Sequence, residues 1–356
     1  MEIASFGLER WFDEYEHDAD IMLAESGIRS LDADRFDTDP GELGYVIPTD
    51  GDPDFRAEVG ERYDRSTEEV CFTCGTQEAN YLVFRSLLDP DDHAVVVTPT
   101  YQALSAVPES ICDVSKVSLS VPDWELDLDA VEDAIEPETR LLVLNNPNNP
   151  TGKYHSEETV RALYELAEEN DAYLLCDEVY RLLAEDPLPP VASLGEYGIS
   201  TTSLTKAYGL AGLRFGWIAG PEEVIEGAVR WKDYTTISPS VFGQHVARQA
   251  LGEQEDEILA ANRELAREHH DRVAEWITEH GLSWHDPVGV NGFVTIPEAF
   301  GSGKGFCRAV VEAESVVLAP GEFFGFEGYF RIGFGLETEA LKEGLDRVGR
   351  VIELHE

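Results

Sequence analysis

The chain has 356 residues and sets 26 Lys plus Arg against 71 Asp plus Glu, a formal net charge of −45. That balance excludes an ordinary nucleic-acid binder, which neutralises phosphates with clustered Lys and Arg. The 43% of hydrophobic residues in turn excludes a disordered acidic tail. We read the acidity as a haloadapted surface, whose hydrated carboxylates repel one another less when salt near ~1 M shortens the Debye length to ~3 Å. Residues 1–4 run into an acidic segment with no basic and then apolar leader, and no apolar stretch approaches membrane-spanning length. The expectation is a soluble cytoplasmic protein with no membrane partner.

In chain order, Val70-Cys71-Phe72 reads as a strand leading into Gly75-Thr76-Gln77. A helix follows, with apolar Ala79, Leu82, Val83 and Leu87 at helical spacing. Cys71 and Cys74 spell CxxC, yet no second pair completes a zinc site. The five cysteines are odd in number and scattered, which fits reduced thiols and no metal. Ala94 to Val97 and Leu141 to Leu144 are short apolar runs, ending in Thr98-Pro99 and Asn145-Asn146-Pro147. Ser156 caps a predicted helix that buries Val160, Leu163, Tyr164 and Ala167, and Ala172 to Cys176 is the next buried strand. Ile199 to Thr202 makes one more, with Leu213 to Ala219 after a Gly-containing turn. Beyond Pro239 the pattern becomes long amphipathic helix, about 240–251 and 256–280, then short strands around 292–294 and 330–332.

Continuous apolar strands alternating with helices predict an α/β protein with a mainly parallel sheet between helices. We place this large domain at 40–250. A smaller α+β domain is assembled from the N- and C-terminal segments, 1–39 and 251–356. Ligands of such sheets sit at the carboxyl ends of the strands. Gly75-Thr76-Gln77, Tyr101, Asn149, Asp177 and Lys206 each follow a predicted strand by a few residues, which points to one shared site.

The chemistry of these residues is specific. Lys206 is one of only six lysines and lies in Ser203-Leu204-Thr205-Lys206, with Arg214 eight residues on. Its amine suits a Schiff base with an aldehyde cofactor and the subsequent movement of a proton. Gly75-Thr76-Gln77 opens a helix whose N–H groups and dipole favour a phosphate, and Ser203 and Arg214 would complete the cradle. Gly301-Ser302-Gly303-Lys304-Gly305 looks phosphate-friendly but lacks the Ser or Thr after the lysine that a P-loop needs, and is expected to be a mobile surface loop.

Together with Asn146-Pro147-Asn148-Asn149-Pro150-Thr151-Gly152 and Asp177-Glu178-Val179-Tyr180, these motifs resemble the class I/II aminotransferases, the fold-type-I pyridoxal-phosphate (PLP) enzymes, over about residues 24–347. The resemblance implies PLP as cofactor, Lys206 as its Schiff-base lysine, Asp177 against the pyridine nitrogen, and Tyr180 and Asn149 as donors to the ring's phenolic oxygen. It implies Tyr101 stacked on the ring and Arg331, in Phe330-Arg331-Ile332-Gly333, holding the substrate α-carboxylate. Gly27 lies in the Gly-containing loop near that carboxylate, and Tyr45 resembles a tyrosine that reaches across a dimer to the partner's phosphate.

The implied activity is amino transfer from an α-amino acid to a 2-oxo acid by a homodimer with shared active sites. The alternatives on the same scaffold are a C–S β-lyase, a decarboxylase or a capreomycidine-synthase-like cyclase. A non-catalytic regulatory module would need a basic DNA-binding domain, for which this chain has neither the charge nor the length.

Overall fold

The computed structural model describes residues 2–355. Its first half comprises α1 (Gly7–Tyr15), β1 (Ile21–Met22), α2 (Pro53–Gly60), β2 (Val70–Thr73), α3 (Thr76–Leu87), β3 (His93–Thr98), α4 (Ala103–Glu109), β4 (Asp113–Ser118), α5 (Leu128–Ala134), β5 (Thr139–Asn145), α6 (Glu157–Glu169) and β6 (Tyr173–Asp177). There follow β7 (Gly198–Ser203), β8 (Gly216–Ala219), α7 (Glu222–Lys232), α8 (Val241–Ala250), α9 (Glu255–Glu279), β9 (Asn291–Thr295), α10 (Gly303–Glu314), β10 (Val316–Val317), β11 (Ala319–Pro320), β12 (Tyr329–Gly333) and α11 (Thr338–Glu353).

Seven strands form one sheet in the order β2-β8-β7-β6-β5-β3-β4. All run parallel except β8, which pairs antiparallel with both β2 and β7. Alternate residues of each strand face opposite layers. Val70, Phe72, Val95, Leu142, Leu174 and Cys176 enter one apolar cluster, and Cys71, Ala94, Val96, Leu141, Val143 and Leu175 the other. Both faces are therefore dry, which is why these strands read as unbroken apolar runs. Each buried Leu or Val contributes about 1.5–3 kcal/mol on transfer from water. A smaller antiparallel sheet, β11-β12-β9, sits with α9, α10 and α11.

The N-terminal segment joins the C-terminal elements: β1 pairs in parallel with β10 as a separate two-stranded sheet, Ile21 beside Val316, and the Trp11 indole donates to the Leu318 carbonyl at 2.9 Å. The mixed architecture, with a large mostly parallel sheet and a smaller antiparallel one, matches the α/β expectation.

Two local expectations need correction, and one strand was missed. The run from Leu213 is a strand only from Gly216, because Arg214 takes a left-handed φ of 53° that ends a 3-10 turn over Ala211–Leu213. The segment around Lys304 is the start of α10 and not a loop: Ser302 Oγ accepts from the Gly305 N–H at 3.0 Å and caps the helix. The edge strand β4 went unread because its sequence, Asp113-Val114-Ser115-Lys116-Val117-Ser118, is half polar, as one exposed edge allows.

Candidate active site

Sheet register brings the predicted residues to one rim. Asn145 lies beside Asp177, and Asp177 beside Thr201, at the carboxyl ends of β5, β6 and β7. Because β8 runs the other way, its beginning reaches that same rim, with Gly216 beside Ser203 on one side and Thr73 on the other. Arg214, two residues before Gly216, is thereby delivered to the N-terminus of α3.

A cavity of about 320 Å³ opens there, and Thr76, Gln77, Tyr101, Asn149, Asp177, Tyr180, Ser203, Lys206, Arg214, Arg331 and Gly27 all line it. Two of the predicted residues do not. Gly75 sits behind the wall at φ 81°, a conformation that favours glycine, and a Cβ there would come within 2.9 Å of Arg214 Nη2 and push the guanidinium aside. Tyr45 lies away from the cavity of its own chain and is 76% exposed.

Electrostatics distinguish the members. Lys206 is half-buried, and its amine is pulled down to about 8 by desolvation and then by the charge of Arg331, with Glu25 and Asp177 opposing. Its one hydrogen bond runs from Nζ to Ser26 Oγ, at 3.3 Å. Burial raises the Asp177 carboxyl to about 6, against hydrogen bonds from Asn80 and the Val179 N–H and the charge of Lys206. Asn80 Nδ2 donates to Asp177 Oδ2 at 2.9 Å, and Thr201 Oγ1 donates to Asn80 Oδ1 at 2.6 Å, so the carboxylate is aimed from behind. Neighbouring Glu178 is engaged elsewhere, accepting from Ser200 Oγ and the Val191 N–H. Burial likewise pushes the Tyr180 phenol up to about 12, leaving it a hydrogen-bond donor at neutral pH.

Arg331 is 2% exposed. Its Nη1 donates to Asn149 Oδ1 at 2.9 Å and its Nη2 to the Ala24 carbonyl at 2.5 Å, while Nε is buried without a partner. A buried unsatisfied guanidinium N–H is costly, and it marks a place prepared for an acceptor such as a carboxylate. At the other end of the cavity Thr76 Oγ1 is also buried and unpartnered, beside the free N–H groups that open α3. These two orphaned atoms, on residues that share one cavity with Lys206 and Asp177, fit a group carrying a phosphate and a ring nitrogen, together with a carboxylate.

Sequence reasoning missed Asn80, Ser26 and Glu9. Asn80 was readable as a polar residue interrupting the apolar face of α3, next to Ala79 and four residues from Thr76. Ser26 lies in the very loop that contains Gly27. Glu9 carried no local signal, since α1 reaches the site only through tertiary packing.

Fold and cavity together define a PLP enzyme built on an α/β sheet with its lysine at a strand end. A family model for aminotransferase class I and II matches residues 16–348. The aspartate/prephenate aminotransferase of Thermus thermophilus is 31% identical, over 88% of this chain and 84% of that protein. Capreomycidine synthase of Streptomyces vinaceus is 30% identical, over 98% of this chain and 94% of that one. A PLP-dependent aminotransferase structure from Streptococcus suis superimposes with a TM-score of 0.94 at 32% identity, covering 100% of this chain and 99% of that one. The chain belongs to the class I and II aminotransferase family, and its activity is PLP-dependent amino transfer. No helix among the described residues is long and apolar enough to cross a membrane.

Proposed function

We propose that this enzyme moves the amino group of an α-amino acid to a 2-oxo acid, with Lys206 as the covalent and proton-carrying residue. The observation that carries the reading is the coexistence, in one cavity, of a desolvated amine lowered to about 8 and a buried arginine with an unpaired Nε. When bound, PLP supplies an electron sink that lets the substrate's Cα proton leave.

The chain's own residues do the remainder. Thr76, Gln77, Ser203 and Arg214 would hold the phosphate, with Gly75 letting Arg214 approach. Asp177, oriented by Asn80, keeps a proton on the ring nitrogen. Tyr180 and Asn149 would donate to the phenolic oxygen: Asn149 Oδ1 is taken by Arg331, which leaves its amide N–H groups as donors. Tyr101, which lines the cavity, would stack on the ring. Arg331 would grip the α-carboxylate beside Gly27, and the Lys206 amine would move the proton at Cα.

The site is completed, on this reading, by a homodimer in which the exposed Tyr45 reaches the partner's phosphate, and the enzyme works in the cytoplasm. The test is an amino-donor assay on the PLP-loaded enzyme. A 2-oxo acid forming from the donor only when an acceptor 2-oxo acid is present supports amino transfer. Turnover without an acceptor, releasing ammonia, pyruvate or a cyclised product, would replace it with elimination or with cyclisation of the kind named in the Streptomyces relative.

The surface reading belongs here too. With a net charge of −45, the thermal midpoint is expected to rise by several degrees between 0.05 M and ~1 M KCl as screening relieves carboxylate repulsion. Equal midpoints, followed by circular dichroism, would remove the haloadaptation argument.

A further inference from the structure

The wall of the cavity contributed by α1 has no role in the chemistry above. It presents Leu8, Glu9 and Phe12, with Glu25 nearby. α1 is held in place from both sides. The Gly7 N–H donates to Gln102 Oε1 at 2.9 Å, Gln102 Nε2 donates to the Ser5 carbonyl at 2.8 Å, Phe6 packs on Tyr101 at 5.1 Å, and Trp11 is tied to Leu318. The Tyr101 hydroxyl donates to Glu9 Oε1 at 3.1 Å, which fixes that carboxylate and leaves Oε2 available. Burial, then the charge of Glu9, raises the Tyr101 phenol, so it stays a donor and never competes as an anion.

The cations of the cavity are Lys206, Arg214 and Arg331, and each is committed to the cofactor or the α-carboxylate. The arginines flanking Glu9 and Glu25 in sequence do not serve them: Arg10 pairs with Asp13, and Arg29 with Glu337. Glu9 and Glu25 do lie within the field of Arg331, and Glu25 within that of Lys206, but those cations are committed to the α-carboxylate and the cofactor. A substrate side chain ending in a carboxylate would therefore meet two carboxylates with no uncommitted cation, whereas a guanidinium or ammonium would find a positioned acceptor.

Resting on the aminotransferase reading, we propose that the amino donor carries a cationic, hydrogen-bond-donating side chain, and that Glu9, oriented by Tyr101, is its anchor. Glu9 and Tyr101 thereby set specificity at the end of the cavity away from the phosphate cradle.

Two measurements on the PLP-loaded enzyme test this. The first is equilibrium binding by calorimetry of 4-guanidinobutyrate, which has a carboxylate for Arg331 and a guanidinium for Glu9 but no amine to transfer, against glutarate. The guanidino acid is expected to bind about 30-fold more tightly, and Glu9→Gln to erase most of that ratio, with cofactor absorbance showing that the variant is folded and loaded. The second is kcat/KM for arginine, ornithine and lysine against aspartate, glutamate and phenylalanine. Cationic donors should lead by about 10²-fold, with the Glu9→Gln loss falling mainly on their KM. Glutarate binding as well as or better than the guanidino acid, or acidic or aromatic donors leading, overturns the inference while leaving amino transfer standing. If no α-amino acid of any class yields a 2-oxo acid, the aminotransferase reading itself fails.

Discussion

Lys206→Ala is expected to lower kcat by at least about 10⁴-fold, the upper range for loss of a positioned proton carrier, with the covalent tether lost as well. The reason lies in placement. Lys206 is half-buried in the cavity, desolvated and within the field of Arg331, and its Nζ has Ser26 as its one hydrogen-bond partner among the described residues, so the amine is held below its ordinary pKa and is available as a nucleophile near neutral pH. Arginine at this position should not restore activity, because a guanidinium stays protonated. The phosphate cradle does not involve the lysine, so the variant should still bind PLP, but reversibly. Dialysis followed by absorbance and mass measurement checks this. In the wild-type protein freed of cofactor, the rate of PLP recapture should climb with pH through about 8 as the amine deprotonates. A variant that retained cofactor covalently through dialysis would show that another residue holds it.

Asp177→Asn is the second large effect, with an expected loss in kcat of about 10³-fold, comparable to removing a strong preorganised electrostatic contact. An amide cannot keep a proton on a ring nitrogen. The stability change should have the opposite sign. In the cofactor-free fold, burial lifts the carboxyl from 3.8 to about 6, so the protonated form is favoured there. A folded pKa above the unfolded one means that this group's contribution is fully present below pH 3.8 and is lost as pH rises through about 6. At neutral pH the ionised buried carboxylate costs about 3 kcal/mol. Asp177→Asn is thus expected to raise the melting temperature of the cofactor-free protein by a few degrees at pH 7 while disabling the enzyme. Wild-type affinity for PLP should fall as pH drops through about 6, and the variant's should stay flat across that window. A destabilised, fully active variant would sink this assignment.

Such a trade is characteristic of groups kept for function. Thr76 Oγ1 and Arg331 Nε, buried without partners, carry the same signature at the two ends of the cavity.

Much of this protein was legible in its residues. The apolar runs at Ala94, Leu141 and Ala172 declared strands covered on both faces, and Ser156 declared its helix. The polar residues following those strands declared a rim site because parallel strands must deliver their ends to one side. The motifs around Lys206, Asn149 and Asp177 carried the proposed cofactor chemistry, since each residue type answers a local demand. The tertiary structure decided what depends on distant segments meeting. Arg214 is useful only because β8 runs antiparallel and its left-handed backbone turns the guanidinium over Gly75. Asn80 matters because α3 lies across the end of β6. Glu9, some two hundred residues from Lys206, enters the cavity only because α1 is pinned between Gln102 and Leu318. Periodicity and local chemistry are written along the chain, whereas the wall that faces a substrate's side chain is set by long-range packing, which no local pattern encodes.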